Sequence, residues 1–320
     1  MSFNKWIAAA MVVLAPSLIA QPAKVTPKQV VDAAAFVIEN AFVDEARAKE
    51  IATQLRARSI APAEGTALAK AVTDAIWSIE DDGHLNVRFD PAKASEPFAS
   101  MDELKKRLDA PDSGPMMRRG AGGIPDGDIK ARVLDGNIGY FALSTFQHPM
   151  EVQPQVEAAM KSIENTKAVI VDLRQNRGGT QQLVDFLASY FFPADDRVLL
   201  TGRFRGESEP TVSRVVPTPT RKFETVPLYI LISDKTFSAG EAFAYILQQF
   251  GRATVVGQKT RGGGRHNRVV DIGGGYRVSV SIATVEHPKT KTAWQSTGVI
   301  PDVATGADEA LDAAVVLAGK

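Results

Sequence analysis

Apolar residues between Pro27 and about Glu80 recur at helical spacing: Val31, Ala34, Ala35 and Ile38, then Ile51 and Leu55, then Ala67, Leu68, Val72 and Ile76. Positions three and four apart share one face of a helix, so this stretch predicts a small bundle of helices, each with one apolar stripe. Asp90-Pro91 and the stretch from Ala110 to Gly127 are rich in turn residues and poor in apolar ones. They predict a linker or flap, with Met101 to Leu108 as a short charged helix inside it. Beyond Lys130 the period changes. Short runs at Ala131-Arg132-Val133, Ile138 to Phe141, Ala168 to Val171, Leu228 to Ile232 and Ala253 to Gly257 alternate with helical stretches at Gln153 to Glu164, Gln181 to Phe191 and Ala239 to Phe250. That alternation predicts an α/β layer with buried strands. Tyr276, Val278, Val280 and Ile282 alternate with polar residues, the pattern of a half-exposed strand. The chain therefore divides into a helical domain at 21–90, a linker or flap at 91–130 and an α/β core at 131–320.

The leading segment reads differently. Lys5 precedes an uncharged apolar stretch from Trp6 to Ala20, after which Gln21-Pro22 begins polar sequence. This order predicts a secretory signal peptide over 1–20, cut near Ala20. The stretch contains Pro16 and falls short of the roughly 20 residues a spanning helix needs, which argues against an anchor. An exported protein, periplasmic or secreted, with no membrane span is expected.

Composition narrows the chemistry. The 320 residues carry 37 Lys+Arg against 37 Asp+Glu, so no whole-chain field gathers nucleic acid, and none is expected as a partner. Zero cysteines exclude disulfides, thiolate metal sites and a cysteine nucleophile. No paired His, Asp or Glu spacing matches a metal-ligand set, and no cofactor is expected. Hydroxyl, imidazole and carboxylate chemistry remain.

Ser238 follows a predicted buried strand and a turn, and opens a helix through Ser238-Ala239-Gly240-Glu241. Ser with Glu three residues on is a capping box, which satisfies the first free amides of a helix. A serine on a sharp strand-to-helix turn is also where a nucleophile stands, with adjacent amides facing a developing oxyanion. A serine nucleophile needs a base within hydrogen-bond reach, so His84, His148, His266 and His287 are the candidates. His84, in Asp81-Asp82-Gly83-His84-Leu85-Asn86-Val87, sits where a helix ends and an extended segment begins. A third element, Val171-Asp172-Leu173-Arg174-Gln175-Asn176-Arg177-Gly178-Gly179, runs from a buried strand towards a helix. Its Gly178-Gly179 pair allows close backbone approach, as an oxyanion hole or a tight turn requires.

In this order the segments resemble the tail-specific, or C-terminal processing, serine peptidase family, and within it the branch of the interphotoreceptor retinoid-binding protein and the tricorn core. The resemblance is carried by Asp82-Gly83-His84-Leu85, Ile138-Gly139-Tyr140, the segment from Val171 to Gly179, Ser238-Ala239-Gly240-Glu241, Gly257 to Gly263, and Trp294-Gln295-Ser296-Thr297-Gly298-Val299-Ile300-Pro301-Asp302. It implies a helical bundle followed by a Clp-protease-like and crotonase-like α/β spiral acting on polypeptide substrates. By the same resemblance Ser238 is the nucleophile, His84 the base, and the amides of Ala239 and of Gly178 or Gly179 hold the oxyanion.

The chain departs from the family pattern twice. Gly263 stands where the processing peptidases have a basic lysine, which leaves His84 as the base. Gln295 stands where the tricorn-like branch has a supporting glutamate. A glutamine orients an imidazole through its amide oxygen but lacks the charge that stabilises an imidazolium, so weakened activity or reliance on another carboxylate, such as Glu286, is expected. Two other functions fit the same fold: a non-catalytic protein holding a lipid or peptide in an apolar cleft, and a structural assembly partner.

Overall fold

A computed structural model describes residues 25–110, 128–220 and 223–319. The expected signal segment and most of the turn-rich stretch before Lys130 lie outside the described residues. Among the described residues no helix is long and apolar enough to cross a membrane.

Three helices lead the described chain: α1 (Pro27–Ala41), α2 (Glu45–Arg56) and α3 (Gly65–Trp77). Thr26 starts α1 with a capping box, its hydroxyl taking the Gln29 N–H while Gln29 Oε1 takes the Thr26 N–H. The apolar stripes read from the sequence are buried, Val31, Ile38, Ile51, Leu55, Leu68, Val72 and Ile76 among them; Ala67 is turned outward. Each such branched side chain contributes about 1.5–3 kcal/mol on burial, which fixes the helices far more firmly than propensity does.

The bundle closes against a five-stranded antiparallel sheet. Strands β1 (Asn86–Phe89), β5 (Val198–Phe204), β6 (Thr211–Arg214), β9 (Arg265–Gly273) and β10 (Tyr276–Glu286) form it, with β10 pairing to β1, β5 and β9. One apolar cluster contains bundle residues together with Val270, Ile272, Val278 and Val280 of the sheet. Helix α4 (Met101–Asp109) adds Leu104 and Leu108 to it. Strands β5, β6 and β9 have no counterpart in the sequence reading. The half-exposed reading of β10 also needs correction. Val278 and Val280 face the bundle, and Ser279 and Ser281 on the opposite face are buried too. Their hydroxyls are satisfied by Asn267 Nδ2 at 2.7 Å and by the Asp82 carboxylate at 2.6 Å, so a polar face passes inward without exposure.

The second sheet has six strands in the order β11 (Val303–Ala304), β8 (Thr254–Gly257), β7 (Leu228–Ile232), β4 (Ala168–Asp172), β3 (Ile138–Leu143) and β2 (Ile129–Leu134). All neighbours are parallel except β2 and β3. Helices α5 (Pro149–Ser162), α6 (Gln181–Ser189) and α7 (Ala239–Gln249) cover one face, and α8 (Ala310–Ala318) packs on the other. Val169 and Val171 enter one core while Ile170 enters the other, which is why β4 reads as an unbroken apolar run. In such layers the loops leaving the carboxyl ends of the parallel strands carry ligands and chemistry. Here those loops are 173–180, after β4, and 233–238, after β7.

Candidate active site

Ser238 stands between β7 and α7 with φ +53° and ψ −116°, a strained turn for a residue bearing a side chain. The turn is braced from below: Ser233 Oγ donates to Arg174 O at 2.6 Å and Thr236 Oγ1 to Leu173 O at 2.8 Å, binding the loop after β7 to the loop after β4. The carboxylate half of the expected capping box forms, with Ser238 N–H donating to Glu241 Oε2 at 2.8 Å. The hydroxyl points to a different partner. Ser238 Oγ lies 3.0 Å from His84 Nε2, joining groups 154 residues apart in the chain.

His84 is 5% exposed, its ring against Phe237 with centroids 4.8 Å apart. Burial lowers its pKa to about 4, and the nearby Asp82 charge opposes that shift. The imidazole is therefore neutral at pH 7, the form a general base requires. Asp82 is wholly buried. Its Oδ1 accepts the His84 N–H at 2.9 Å, and its Oδ2 accepts from Ser281 Oγ and from Arg265 Nη1, the latter at 2.9 Å. The same Oδ1 stands 3.9 Å from His84 Nδ1, which is buried without a hydrogen-bond partner.

The glycine pair comes to the serine. Gly178 has φ +104°, and a Cβ there would stand 2.9 Å from Ser238 Cβ; Gly179 has φ +143°, and a Cβ there would stand 2.0 Å from Phe146 O. Both positions demand glycine. The two amides differ, however. The Gly178 N–H donates to Asn176 Oδ1 at 2.9 Å and is engaged. Among the described residues neither the Gly179 nor the Ala239 N–H has an acceptor. Both residues line a small cleft of about 30 Å³, open to solvent, with Ser238 and Gln181. Of the two expected glycines, Gly179 is the one whose amide is unengaged among the described residues.

Gln295 does not reach the imidazole. Its Oε1 accepts the Gly264 N–H at 2.8 Å and its Nε2 faces Ser296 Oγ at 3.4 Å, so it ties down the glycine loop. Glu286 pairs with Lys291 at 3.4 Å. Of the other histidines, His148 caps α5 and His287 is buried against Phe250. His266 stacks on Phe204 and lines the cleft. At Gly263 a Cβ would stand 2.4 Å from the Phe237 ring, and its N–H donates to Glu241 at 2.8 Å, so no lysine fits there.

Three residues that sequence reasoning left without a role organise this site. Asn176, fully buried, donates to Leu143 O at 2.9 Å while accepting from Gly178, and so locks the glycine turn to β3. Phe237 is wedged between Gly83 and Gly263 and backs the imidazole. Asp82 supplies the buried charge. An Asx residue two positions before a key backbone group is a turn signal readable in sequence, and Asn176 and Asp82 both fit it. Glu241 takes four donors: Ser238 N, Thr260 Oγ1, Gly262 N and Gly263 N. Burial raises its pKa and those donors act against the rise.

Fold and site together describe an α/β protein in which a serine and a histidine meet where the loops leave the parallel sheet. Residues 137–305 match the model of peptidase family S41, and the chain belongs to that family. It is 30% identical over 168 residues to the carboxyl-terminal-processing protease of Synechocystis, covering 52% of this chain and 37% of that protein. It is 28% identical over 196 residues to the chloroplastic carboxyl-terminal-processing peptidase 3 of Arabidopsis thaliana, covering 60% and 35%. The match thus spans little more than a third of the length of these relatives. Among solved structures, the photosystem II D1 C-terminal processing protease superposes with a TM-score of 0.54 at 17% identity, over 92% of this chain and 98% of that one. A Parabacteroides merdae protein gives 0.61 at 17% identity, over 92% and 97%.

Proposed function

We propose that this protein is an exported serine peptidase that hydrolyses peptide bonds in extended polypeptide segments. The observation that carries the reading is the 3.0 Å approach of Ser238 Oγ to a buried, neutral His84 Nε2. Ser238 Oγ attacks the scissile carbonyl carbon as His84 Nε2 takes its proton. The carbonyl oxygen becomes the oxyanion and is received by the Gly179 and Ala239 N–H groups, each such donor contributing about 3–4 kcal/mol in related acyl transfer. Collapse breaks the C–N bond while the imidazolium returns the proton to the leaving amine. Water then attacks the acyl-enzyme by the same route in reverse. The imidazolium is stabilised by the Asp82 carboxylate 3.9 Å from Nδ1 rather than by Gln295. Catalytic hydrogen bonds often shorten only when substrate is bound, and the unpartnered Nδ1 leaves room for that.

Labelling with a fluorophosphonate tests the reading. The wild-type chain is expected to label, and Ser238→Ala and His84→Ala are expected not to, with thermal melts showing both variants folded. A folded wild-type protein that stays unlabelled and copurifies with a hydrophobic ligand would establish a binding protein instead.

A further inference from the structure

Beside the Ser238 cleft opens a second and larger cavity of about 210 Å³, which shares Gln181 and His266 with it. Helix α6 contributes Asp185, and strands β5 and β6 contribute Gly202, Thr211 and Ser213. Asp185 is the sole acidic or basic side chain in its lining besides the histidine. It accepts a hydrogen bond from Gln181 Nε2 at 2.8 Å, and among the described residues it forms no ion pair. The buried Ser213 hydroxyl in the same wall favours the charged form of Asp185. Burial pushes the Asp185 carboxyl up to about 6, as befits an acid with no cation beside it, and lowers the pKa of His266 below its ordinary value. The cavity therefore holds a carboxyl group with no cation beside it.

We propose that this cavity is a substrate subsite for a lysine or arginine side chain, with Asp185 as its counter-charge and specificity-determining residue. The inference rests on the peptidase reading above. A half-buried carboxylate with only neutral partners, the Gln181 amide and the Ser213 hydroxyl, gains most from a cation bearing N–H donors, because the guest satisfies both the charge and the remaining lone pairs. A divalent metal is a poor fit, since the described residues contain no group of three His, Asp or Glu placed to hold one. Position agrees with a peptide side chain. Gln181 borders both cavities and Asp185 lies one turn further along α6, about 6 Å away, so a side chain leaving a backbone in the Ser238 cleft reaches it. Leu200 and Val212 in the lining suit the apolar stem of such a side chain.

The test uses alanine-based octapeptides carrying one Lys, Arg, Gln or norleucine at each position in turn. Cleavage is followed with the wild-type chain, and binding by fluorescence anisotropy with Ser238→Ala. At one position Lys and Arg are expected to exceed Gln and norleucine at least tenfold, both in kcat/KM and in affinity. Asp185→Asn is expected to erase that preference while leaving kcat/KM on the Gln peptide within about threefold, and Asp185→Glu to restore part of it. Thr211→Lys, which places the chain's own ammonium in the cavity, is expected to erase the preference without touching α6. Equal handling of basic and neutral peptides, no binding of either, or a preference that survives Asp185→Asn would overturn the subsite. If the wild type neither labels with fluorophosphonate nor cleaves, but Ser238→Ala still binds basic peptides tenfold tighter, the peptidase reading fails and the cation-binding cavity stands.

Discussion

Asp82 Oδ2 accepts a 2.9 Å hydrogen bond from Arg265 Nη1, which joins the segment before His84 to the first residue of β9. Arg265 also lies 3.5 Å from Glu80 and over the Phe42 ring at 5.0 Å, so bundle, sheet and candidate base are held by one guanidinium.

Asp82→Asn is the sharpest probe of that arrangement. Removing the charge beside a forming imidazolium is expected to lower kcat by about 10²–10⁴ with little change in KM. Gln295→Ala, which loosens only the Gly264 loop contact, is expected to cost less than tenfold. Steady-state kinetics on one peptide would decide between them, and a larger loss at Gln295 than at Asp82 would return the supporting role to the glutamine.

The His84 pKa of about 4 sets a pH dependence. The folded state holds the imidazole neutral, while the unfolded chain has it near 6.5, so the unfolded state binds more protons between those values. This contribution to stability is fully present above pH 6.5 and is lost as pH falls towards 4, by about 3 kcal/mol in all. The acidic limb of kcat/KM is expected well below 6.5. A limb at 6.5 or above in the free enzyme would contradict the buried, neutral base.

Gly179→Ala is expected to disrupt folding, because φ +143° is strained for alanine and its Cβ would stand 2.0 Å from Phe146 O. Gly178→Ala, whose new methyl meets Ser238 Cβ at 2.9 Å, is expected to keep more stability and lose activity by displacing the nucleophile. Thermal melts alongside fluorophosphonate labelling separate the two outcomes.

Glu241→Gln replaces an acceptor that serves four donors with a group that must turn two N–H bonds towards them. A loss of about 3 kcal/mol is expected, readable in a denaturant titration. Labelling of Ser238 is expected to slow as well, since its own N–H is among the donors.

How far the chain could be read from its sequence follows from the physics of each element. Helical stripes such as Val31–Ile38 and apolar runs such as Ala168–Val171 answer to a single environment per face and are found at their expected places. Strands β5, β6 and β9 were not legible, because Arg265 to Gly273 mixes charged and apolar residues without strict alternation. In β10, Ser279 and Ser281 look solvent-facing until Asn267 and Asp82 are seen to receive them. Ser238, His84, Ala239 and the glycine pair could be nominated from local turn chemistry and family resemblance; Ser238, Ala239 and Gly179 line one cleft, and His84 meets the serine hydroxyl. Which glycine amide is occupied depends on Asn176, and which carboxylate approaches the imidazole depends on a sheet that the sequence pattern did not reveal.

The bracing of Asp82 carries a lesson about timing. The imidazole's seat is completed by Arg265 and Ser281, which are translated after Ser238 itself. A nascent chain that has already exposed the alcohol still lacks the parts that steady its base. Under the proposed reaction, the base is steadied only once the late strands have docked.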